Sequence, residues 1–344
     1  MEEKYTISFP VGDLIKGFAL LLMVFHHCYG FPLWLDSETL RPTCMEFCQR
    51  WAFSANICVS IFAFLTGWFY FHHRDKSSGY SLKKMGSCIV EYGVLVVFTM
   101  SVATIFCGYT PRMSGFVLEL FPLGSFHKLM IFAWYIRFYL IVLLLLPFLA
   151  AMMDVKGKRC RFVVVLVGLV VLYIMLFFSG HANDTCWLPC VISGYACAQY
   201  SVLERLARML AFLKSDIIAG IFAVVTPCCL YRYCWNEVLG RFDAGFLYAP
   251  IFCSGCILLY PYVKKIKVAG FIQLLGKHSL NVWILHGIFF STITKGVFQK
   301  FAYAIDSPAY VIPFVVGCSL LVSMVLKPIQ VICRKLLIQK LAGM

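Results

Sequence analysis

The stretch DLIKGFALLLMVFHHCYG, residues 13–30, decides the class of this protein. It has about the 20 residues that a helix needs to cross a lipid bilayer, and most of them are apolar. It nevertheless contains four ionisable residues, Asp13, Lys16, His26 and His27. Such residues are costly inside a membrane, where they mostly face the protein interior or a water-filled cavity and serve function. The stretch therefore predicts a membrane-spanning helix that carries chemistry.

The composition extends this interpretation to nearly all of the 344 residues. Hydrophobic residues make up 61% of the chain and charged residues only 13%, whereas soluble domains have about half and about a quarter. We therefore expect an all-α, polytopic integral membrane helical bundle, with one transmembrane domain over residues 1–344. Its transmembrane helices, about ten in number, are predicted in the apolar windows 12–33, 52–72, 86–107, 129–150, 162–180, 186–200, 215–234, 243–262, 278–296 and 308–330.

The net charge of +14 is distributed in a way that predicts orientation. Apart from Lys16 and Arg137, 20 Lys and Arg residues lie in or next to the loops of one side, and eight lie on the other side. Cytoplasmic loops carry the excess of Lys and Arg, so we expect both termini to be cytoplasmic. The charge thus encodes topology, and the expected partner surface is the lipid bilayer, with no nucleic acid.

The 17 cysteines are expected to act mainly as small hydrophobic residues, because most of them lie in apolar windows. Cys253 and Cys256 have the spacing of a redox or metal-binding pair, but no His or acid lies near them, so packing is favoured. The sequence holds no zinc-ligand cluster and no nucleotide-binding motif, so we expect no metal and no bound cofactor. Two further pairs near outward loops leave a disulfide open, Cys44 with Cys48 and Cys186 with Cys190.

Helix geometry relates the four ionisable residues of the first window. Lys16 and His27 are eleven positions apart, which returns the helix to within about 20° and separates them by about 16 Å along its axis. Asp13 lies close to the same line, and His26 is turned about 80° away. This face could hold an anion at its cytoplasmic end and perform proton chemistry near mid-membrane. Alternatively, Lys16 snorkels to the surface and pairs with Asp13. For His26 a structural hydrogen bond to a neighbouring helix is favoured.

Polar residues in other predicted helices extend this set. Arg137 lies near the outward end of the fourth window beside Trp134 and Tyr135, two aromatics that could also form an interfacial belt. Glu91, in the third window, is a buried ionisable residue that could pair with a Lys or a His. Ser279 and His286 are seven positions apart on one face of the ninth window. A stripe in the second window permits close helix packing: Asn56, Ser60, Ala63 and Gly67.

These motifs together resemble the acyltransferase-3 membrane family, whose members move acyl groups, usually acetyl, onto cell-surface carbohydrates. The first helix of that family carries a basic residue, ten intervening positions and a histidine, which matches Lys16 and His27. Lys16 departs from the family, where Arg is more usual, and replaces a bidentate fork by a point charge. The other matches follow in the family's order: Thr66-Gly67 within SIFAFLTGW, Trp134-Tyr135 with Pro147, and GKHSLNVWILH at 276–286.

The resemblance implies an O-acyltransferase of a bacterial plasma membrane. Acyl-CoA would be the donor, with its phosphates near Lys16 and near Lys83 or Lys84, and a carbohydrate would be the acceptor. His27 would be the general base or an acyl carrier. Arg137 and Trp134 would orient the sugar or stabilise the oxyanion. We also assign four further residues to substrate binding: Asp13, Glu91, Ser279 and His286.

A transporter or flippase is the leading alternative, with His27 and His286 as a proton relay. An amino-acid carrier, like that proposed for related membrane domains fused to racemases, belongs to this class. A purely structural membrane protein is disfavoured by the number of buried ionisable residues. The sequence leaves the acceptor, the acyl chain length and a homo-oligomeric state open.

Overall fold

The computed structural model describes residues 6–35, 44–73, 79–122, 128–154, 186–210, 213, 215–237 and 244–342. All regular structure in these ranges is helical, which confirms the predicted all-α class for them. Short 3₁₀ turns cover Pro32–Trp34, Ser54–Asn56 and His286–Phe289. The α-helices are α1 (Phe9–Gly30), α2 (Met45–Ala52), α3 (Ile57–His73), α4 (Tyr80–Cys107), α5 (Met113–Leu120), α6 (Ala133–Asp154), α7 (Leu188–Gln199), α8 (Val202–Leu210), α9 (Asp216–Glu237), α10 (Gly245–Val263), α11 (Lys267–Lys277), α12 (Ser279–Leu285), α13 (Lys295–Ala302) and α14 (Pro308–Ala342).

Six segments among the described residues are long and apolar enough to cross a membrane, as a multi-pass membrane protein requires. Two shorter apolar segments, Asp216–Tyr231 and Ser279–Phe289, fall in the windows 215–234 and 278–296. The window 162–180 lies outside the described residues, so the count of about ten stays a prediction. The six segments, each overlapping one predicted window, are Phe9–Gly30, Met45–His73, Tyr80–Cys107, Ala133–Met153, Gly245–Val263 and Pro308–Leu336.

The chain divides into two compact units. The first unit comprises Met1–Ala19, Ser54–Leu82 and Phe138–Lys277, and the second comprises Leu20–Phe53, Lys83–Arg137 and His278–Met344.

In the first unit, α3 and α7 pack with their backbones in contact. A Cβ atom on Gly67 would overlap the carbonyl oxygen of Val191, and one on Gly194 would overlap the carbonyl oxygen of Phe64. Only glycine fits at both positions, because the obstacle is backbone that cannot rotate away. The close packing that the polar and small-residue stripe predicts is therefore confirmed at Gly67.

The first part of α1 packs equally closely against α11. A Cβ atom on Gly276 would overlap the carbonyl oxygen of Asp13, and one on Gly17 would overlap that of Ile272. The side chain of Gln273 also donates a hydrogen bond to the carbonyl oxygen of Pro10, at 3.1 Å. This contact gives a structural reason for the glycine that opens the GKHSLNVWILH motif.

The cysteines of the described residues are all free thiols, so neither disulfide left open by the sequence is formed. Cys253 and Cys256 are buried within α10, where Gly255 packs against Gly220 of α9. Their role is packing, as the sequence favours.

In the second unit, α14 packs along α12 and α13. Asn281 of α12 and Gln330 of α14 exchange two amide hydrogen bonds, of 2.9 and 3.0 Å. The hydroxyl of Tyr303, between α13 and α14, donates to the carbonyl oxygen of Cys28 at 2.8 Å. Burial raises the pKa of the Tyr303 phenol well above its ordinary value. It therefore stays protonated and keeps this hydrogen bond, which ties α1 to the segment between α13 and α14.

The window 278–296 differs from its prediction as one continuous helix. Helix α12 ends at Leu285, and a 3₁₀ turn begins at His286. The turn is stabilised by Thr294, whose hydroxyl donates to the carbonyl oxygen of Ile288. Gly287 lies under the ring of Phe132, with its Cβ position 3.1 Å from a ring carbon, so a side chain would not fit without a shift. Ser279 and His286 thus lie at the start and just beyond the end of α12.

Candidate functional site

The second unit brings two predicted site residues into direct contact. His27, near the end of α1, and His286, directly after α12, are joined by a 2.7 Å hydrogen bond from Nδ1 of His27 to Nε2 of His286. Both side chains are buried, and His286 is 0% exposed. We call these two residues the histidine pair.

The partners of the histidine pair assign its protons. Nδ1 of His286 lies 3.1 Å from the carbonyl oxygen of Val282, which can only accept, so this nitrogen carries the hydrogen. Nε2 of the neutral His286 ring is then an acceptor, and Nδ1 of His27 donates to it. The lone pair of His27 is left on Nε2. This arrangement makes His27 the group that can take a proton and His286 the group that orients the His27 ring.

Aromatic rings cover the histidine pair. The Phe132 ring stacks on both imidazoles, with centroids 4.2 Å from His27 and 4.4 Å from His286. Trp34 lies 5.8 Å from the His27 ring and is itself stacked on Phe31 at 4.1 Å. The 3₁₀ turn that carries Trp34 is held by the buried Gln299, whose amide donates to the Trp34 carbonyl oxygen at 3.0 Å. Aromatic side chains packed in this way exclude water and strengthen electrostatic interactions inside the site.

Glu119, which positions the segment leading to Phe132, is not among the site residues predicted from the sequence. Glu119, buried at the end of α5, accepts hydrogen bonds from three successive backbone N–H groups at 128–130, at 3.0, 2.9 and 3.2 Å. The carbonyl oxygen of Lys128 in turn accepts from Ser291 at 2.9 Å. These bonds hold the segment that leads to Phe132. The only signal in the sequence is a single acid in the apolar stretch MSGFVLEL.

His26 has the structural role that the sequence favours. Its Nδ1 donates to the carbonyl oxygen of Ala52, the last residue of α2, at 2.7 Å. The bond satisfies one of the carbonyl groups that a helix end leaves without an internal partner. His26 therefore ties α1 to α2, and its ring does not hydrogen-bond to the histidine pair in the described residues.

In the first unit, Lys16 pairs with Asp13. The ammonium nitrogen lies 2.6 Å from the carboxylate, with side chains 27% and 14% exposed, and 5.9 Å from the centre of the Phe69 ring. The pairing that the sequence left as an alternative is thus present. It leaves the two residues together without net charge.

Glu91 has protein cations as partners, as its prediction allowed. Its carboxylate lies 3.2 Å from the ammonium nitrogen of Lys327 and 3.7 Å from the guanidinium of Arg334. It also accepts a hydrogen bond from Ser87 at 3.3 Å. The sequence indicated the kind of partner, and the fold identifies which residues supply it.

The remaining predicted residues lie in the second unit, at the start of α6 and on α12. Trp134 contacts Trp283 edge-on at 6.3 Å, and Tyr135 stacks on Trp283 at 4.2 Å. Because Trp283 precedes His286 by three positions, the aromatic start of α6 packs on α12, the helix that directly precedes His286. Arg137 follows one turn into α6 and is half-buried, and Ser279 is the first residue of α12.

The arrangement is suited to proton transfer in a site shielded from water. A hydroxyl group next to Nε2 of His27 could lose its proton there, while His286 stabilises the imidazolium that forms. No cluster of three or more metal-ligating side chains occurs in the described ranges.

Comparison with known proteins matches this chain to a protein family. A family model described as an acyltransferase domain matches residues 13–327, nearly the whole chain, including all eight predicted site residues. No curated protein and no solved structure matches the chain.

Proposed function

This chain belongs to the acyltransferase-3 family, and from that premise we propose that it is a membrane O-acyltransferase. It moves an acyl group, acetyl in the first instance, from cytoplasmic acyl-CoA to a hydroxyl of a cell-surface or exported carbohydrate. The observation that carries the proposal is the histidine pair, which leaves the lone pair of His27 on Nε2 inside an aromatic enclosure. A general base of this kind is what the attack of a hydroxyl on a thioester requires.

The reaction follows from these contacts. Nε2 of His27 takes the proton of the acceptor hydroxyl as its oxygen attacks the thioester carbonyl carbon. The hydrogen bond to His286 stabilises the resulting imidazolium, and the face of Phe132 favours the cation further. The tetrahedral intermediate collapses with cleavage of the carbon–sulfur bond. The imidazolium then returns its proton to the leaving thiolate, so that free CoA and the ester are released and His27 is restored.

Binding roles are proposed for the other site residues. Arg137 and Trp134 orient the acceptor or stabilise the oxyanion, since they begin the helix that packs against Trp283 near the histidine pair. Ser279 and His286 contribute from the two ends of α12. Lys16, held by its carboxylate partner Asp13, offers its remaining ammonium hydrogens to the donor as hydrogen-bond donors on the cytoplasmic side. The donor is a substrate and not a resident cofactor.

We also propose ten spans with both termini in the cytoplasm, supported by the 20-to-8 division of Lys and Arg. Reporter fusions after residues 80, 157 and 266 should then report the cytoplasm, and fusions after residues 40 and 115 the outside. The measurement is the ratio of the alkaline phosphatase signal to the fluorescent-protein signal at each fusion site, with the fusions inserted in a plasma membrane. Reversed signals at two of these sites contradict the arrangement.

The reaction is tested with membranes that contain the full chain. Incubation with acetyl-CoA radiolabelled in the acetyl group should release CoA thiol and place label in envelope carbohydrate, from which mild base removes it as an ester would. Membranes with the His27→Ala variant are the matched control. If no label is transferred, but proteoliposomes carry a small polar solute along a pH gradient in a His27-dependent manner, the chain is a transporter and the proposal is wrong.

A further inference from the structure

We propose that Lys327 and Arg334 bind phosphate groups of the acyl donor while Glu91 holds the two side chains in place. We call these three residues the basic cluster. The inference rests on the proposed function, since it takes acyl-CoA as the donor. It assigns the phosphates to residues of α4 and α14, whereas the sequence pointed to Lys16 and the start of α4.

Charge is the first argument for the basic cluster. Two cations share one carboxylate, with Lys327 on one oxygen at 3.2 Å and Arg334 on the other at 3.7 Å. The cluster therefore keeps a net positive charge, unlike the one-to-one pair of Lys16 and Asp13 at 2.6 Å. Lys84 lies on the same face of α4, seven positions before Glu91. The local excess of positive charge suits a ligand that carries several negative charges.

Access is the second argument. The Glu91 side chain is only 12% exposed, whereas those of Lys327 and Arg334 are 35% and 39% exposed. The carboxylate thus contacts the two cations from the buried side and leaves part of each side chain exposed at the protein surface. Arg has five N–H donors and Lys has three, so most donors are available to an incoming phosphate. Arg334 is further fixed by a 3.3 Å hydrogen bond to Ser87.

Hydrogen bonds connect the basic cluster to the helix that precedes His286 of the histidine pair. The amide nitrogen of Gln330 donates to the carbonyl oxygen of Glu91 and to the side chain of Asn281, both at 3.0 Å. Asn281 precedes His286 by five positions, which is about 8 Å along a helix. The cluster and the pair are therefore linked to opposite ends of α12. Acyl-CoA is a long ligand with phosphates at one end and the thioester at the other. Its phosphates could therefore lie at the basic cluster while its thioester reaches the histidine pair.

The test compares two donors and two positions. The full chain is purified in nanodiscs of phosphatidylcholine, and equilibrium binding is measured with labelled acetyl-CoA and with S-acetylpantetheine, which has the thioester but no phosphate. Lys327→Gln and Arg334→Gln should each weaken acetyl-CoA binding about tenfold, the usual loss for a charged hydrogen-bond partner. Binding of S-acetylpantetheine should be unchanged. Lys335→Gln is the matched control, since it removes the same charge from an exposed neighbour on α14.

Several outcomes would overturn the inference. Equal weakening by Lys335→Gln would mean that general charge acts and not a site. Equal weakening of both donors would make the cluster structural, and an effect seen only in nanodiscs with phosphatidylglycerol would make a lipid headgroup its ligand. Arg334→Lys, which keeps the charge, should retain most of the affinity if Arg334→Gln fails to fold. Binding is measured without turnover, so charge-dependent binding without acyl transfer would contradict the proposed function and leave the phosphate site standing.

Discussion

The His27→Ala variant is expected to lose between about 10²- and 10⁴-fold in the rate of acyl transfer, the range that a positioned general base contributes. The loss should appear in the rate constant of the transfer step, because Nε2 of His27 acts on the proton that moves in the transition state. Binding of acetyl-CoA should persist. The measurement is single-turnover transfer of labelled acetyl to carbohydrate by purified protein, at matched protein amounts.

His26→Ala is the control for this prediction. His26 adjoins His27 in sequence, but its ring binds the carbonyl oxygen of Ala52 and not the histidine pair. Its loss should lower the unfolding temperature, since a helix-end carbonyl loses its partner. The transfer rate per folded molecule should stay near that of the unmodified protein. Equal rate losses in the two variants would remove the assignment of His27 as the base.

His286 gives the second large expected effect. In His286→Leu the Nδ1 hydrogen of His27 loses its acceptor, and the ring is free to adopt the other tautomer or to rotate. We expect kcat to fall about 10²-fold, the low end for a group that assists proton transfer, with little change in KM. His286→Gln should fall less, because its amide oxygen can accept the same hydrogen bond. The comparison requires kcat and KM for all three proteins with the acceptor saturating.

His278 offers a matched control on the same segment of chain. Its ring contacts the hydroxyl of Ser323 at 2.8 Å, at the start of α12. His278→Gln should therefore leave kcat close to its normal value. If His286→Leu and His286→Gln lose activity equally, the orienting hydrogen bond is not what His286 contributes.

Helix periodicity distinguishes the two adjacent histidines but does not identify the partner of either. Rotation along α1 depends only on sequence spacing, so the different surroundings of His26 and His27 could be predicted. The contact between His27 and His286 joins residues 259 positions apart. It depends on the end of α12 at Leu285 and on the turn after it, which hydrophobic periodicity does not show.

For the charged residues, too, some partners could be predicted from the sequence and others could not. Pairing of Lys16 with Asp13 and of Glu91 with a Lys could be predicted, because an ionisable residue in a membrane needs a partner. Glu119 could not, since its partners are backbone N–H groups nine to eleven positions later. Backbone groups leave no mark in the residue types of a sequence. The role of Glu119 in holding the segment before Phe132 can therefore be recognised only in the folded structure.

The close approach of α3 and α7 at Gly67 and Gly194 bears on how the chain is assembled during synthesis. Helix α7 has 12 residues and is about 18 Å long, whereas the hydrocarbon layer is about 30 Å thick. So short a segment is a weak stop for the insertion machinery, but α3 is made earlier and already offers its glycine groove. Since each glycine faces the other helix's carbonyl oxygen, the late segment can dock in one register only. We therefore expect α3 to guide the docking of the later-made α7.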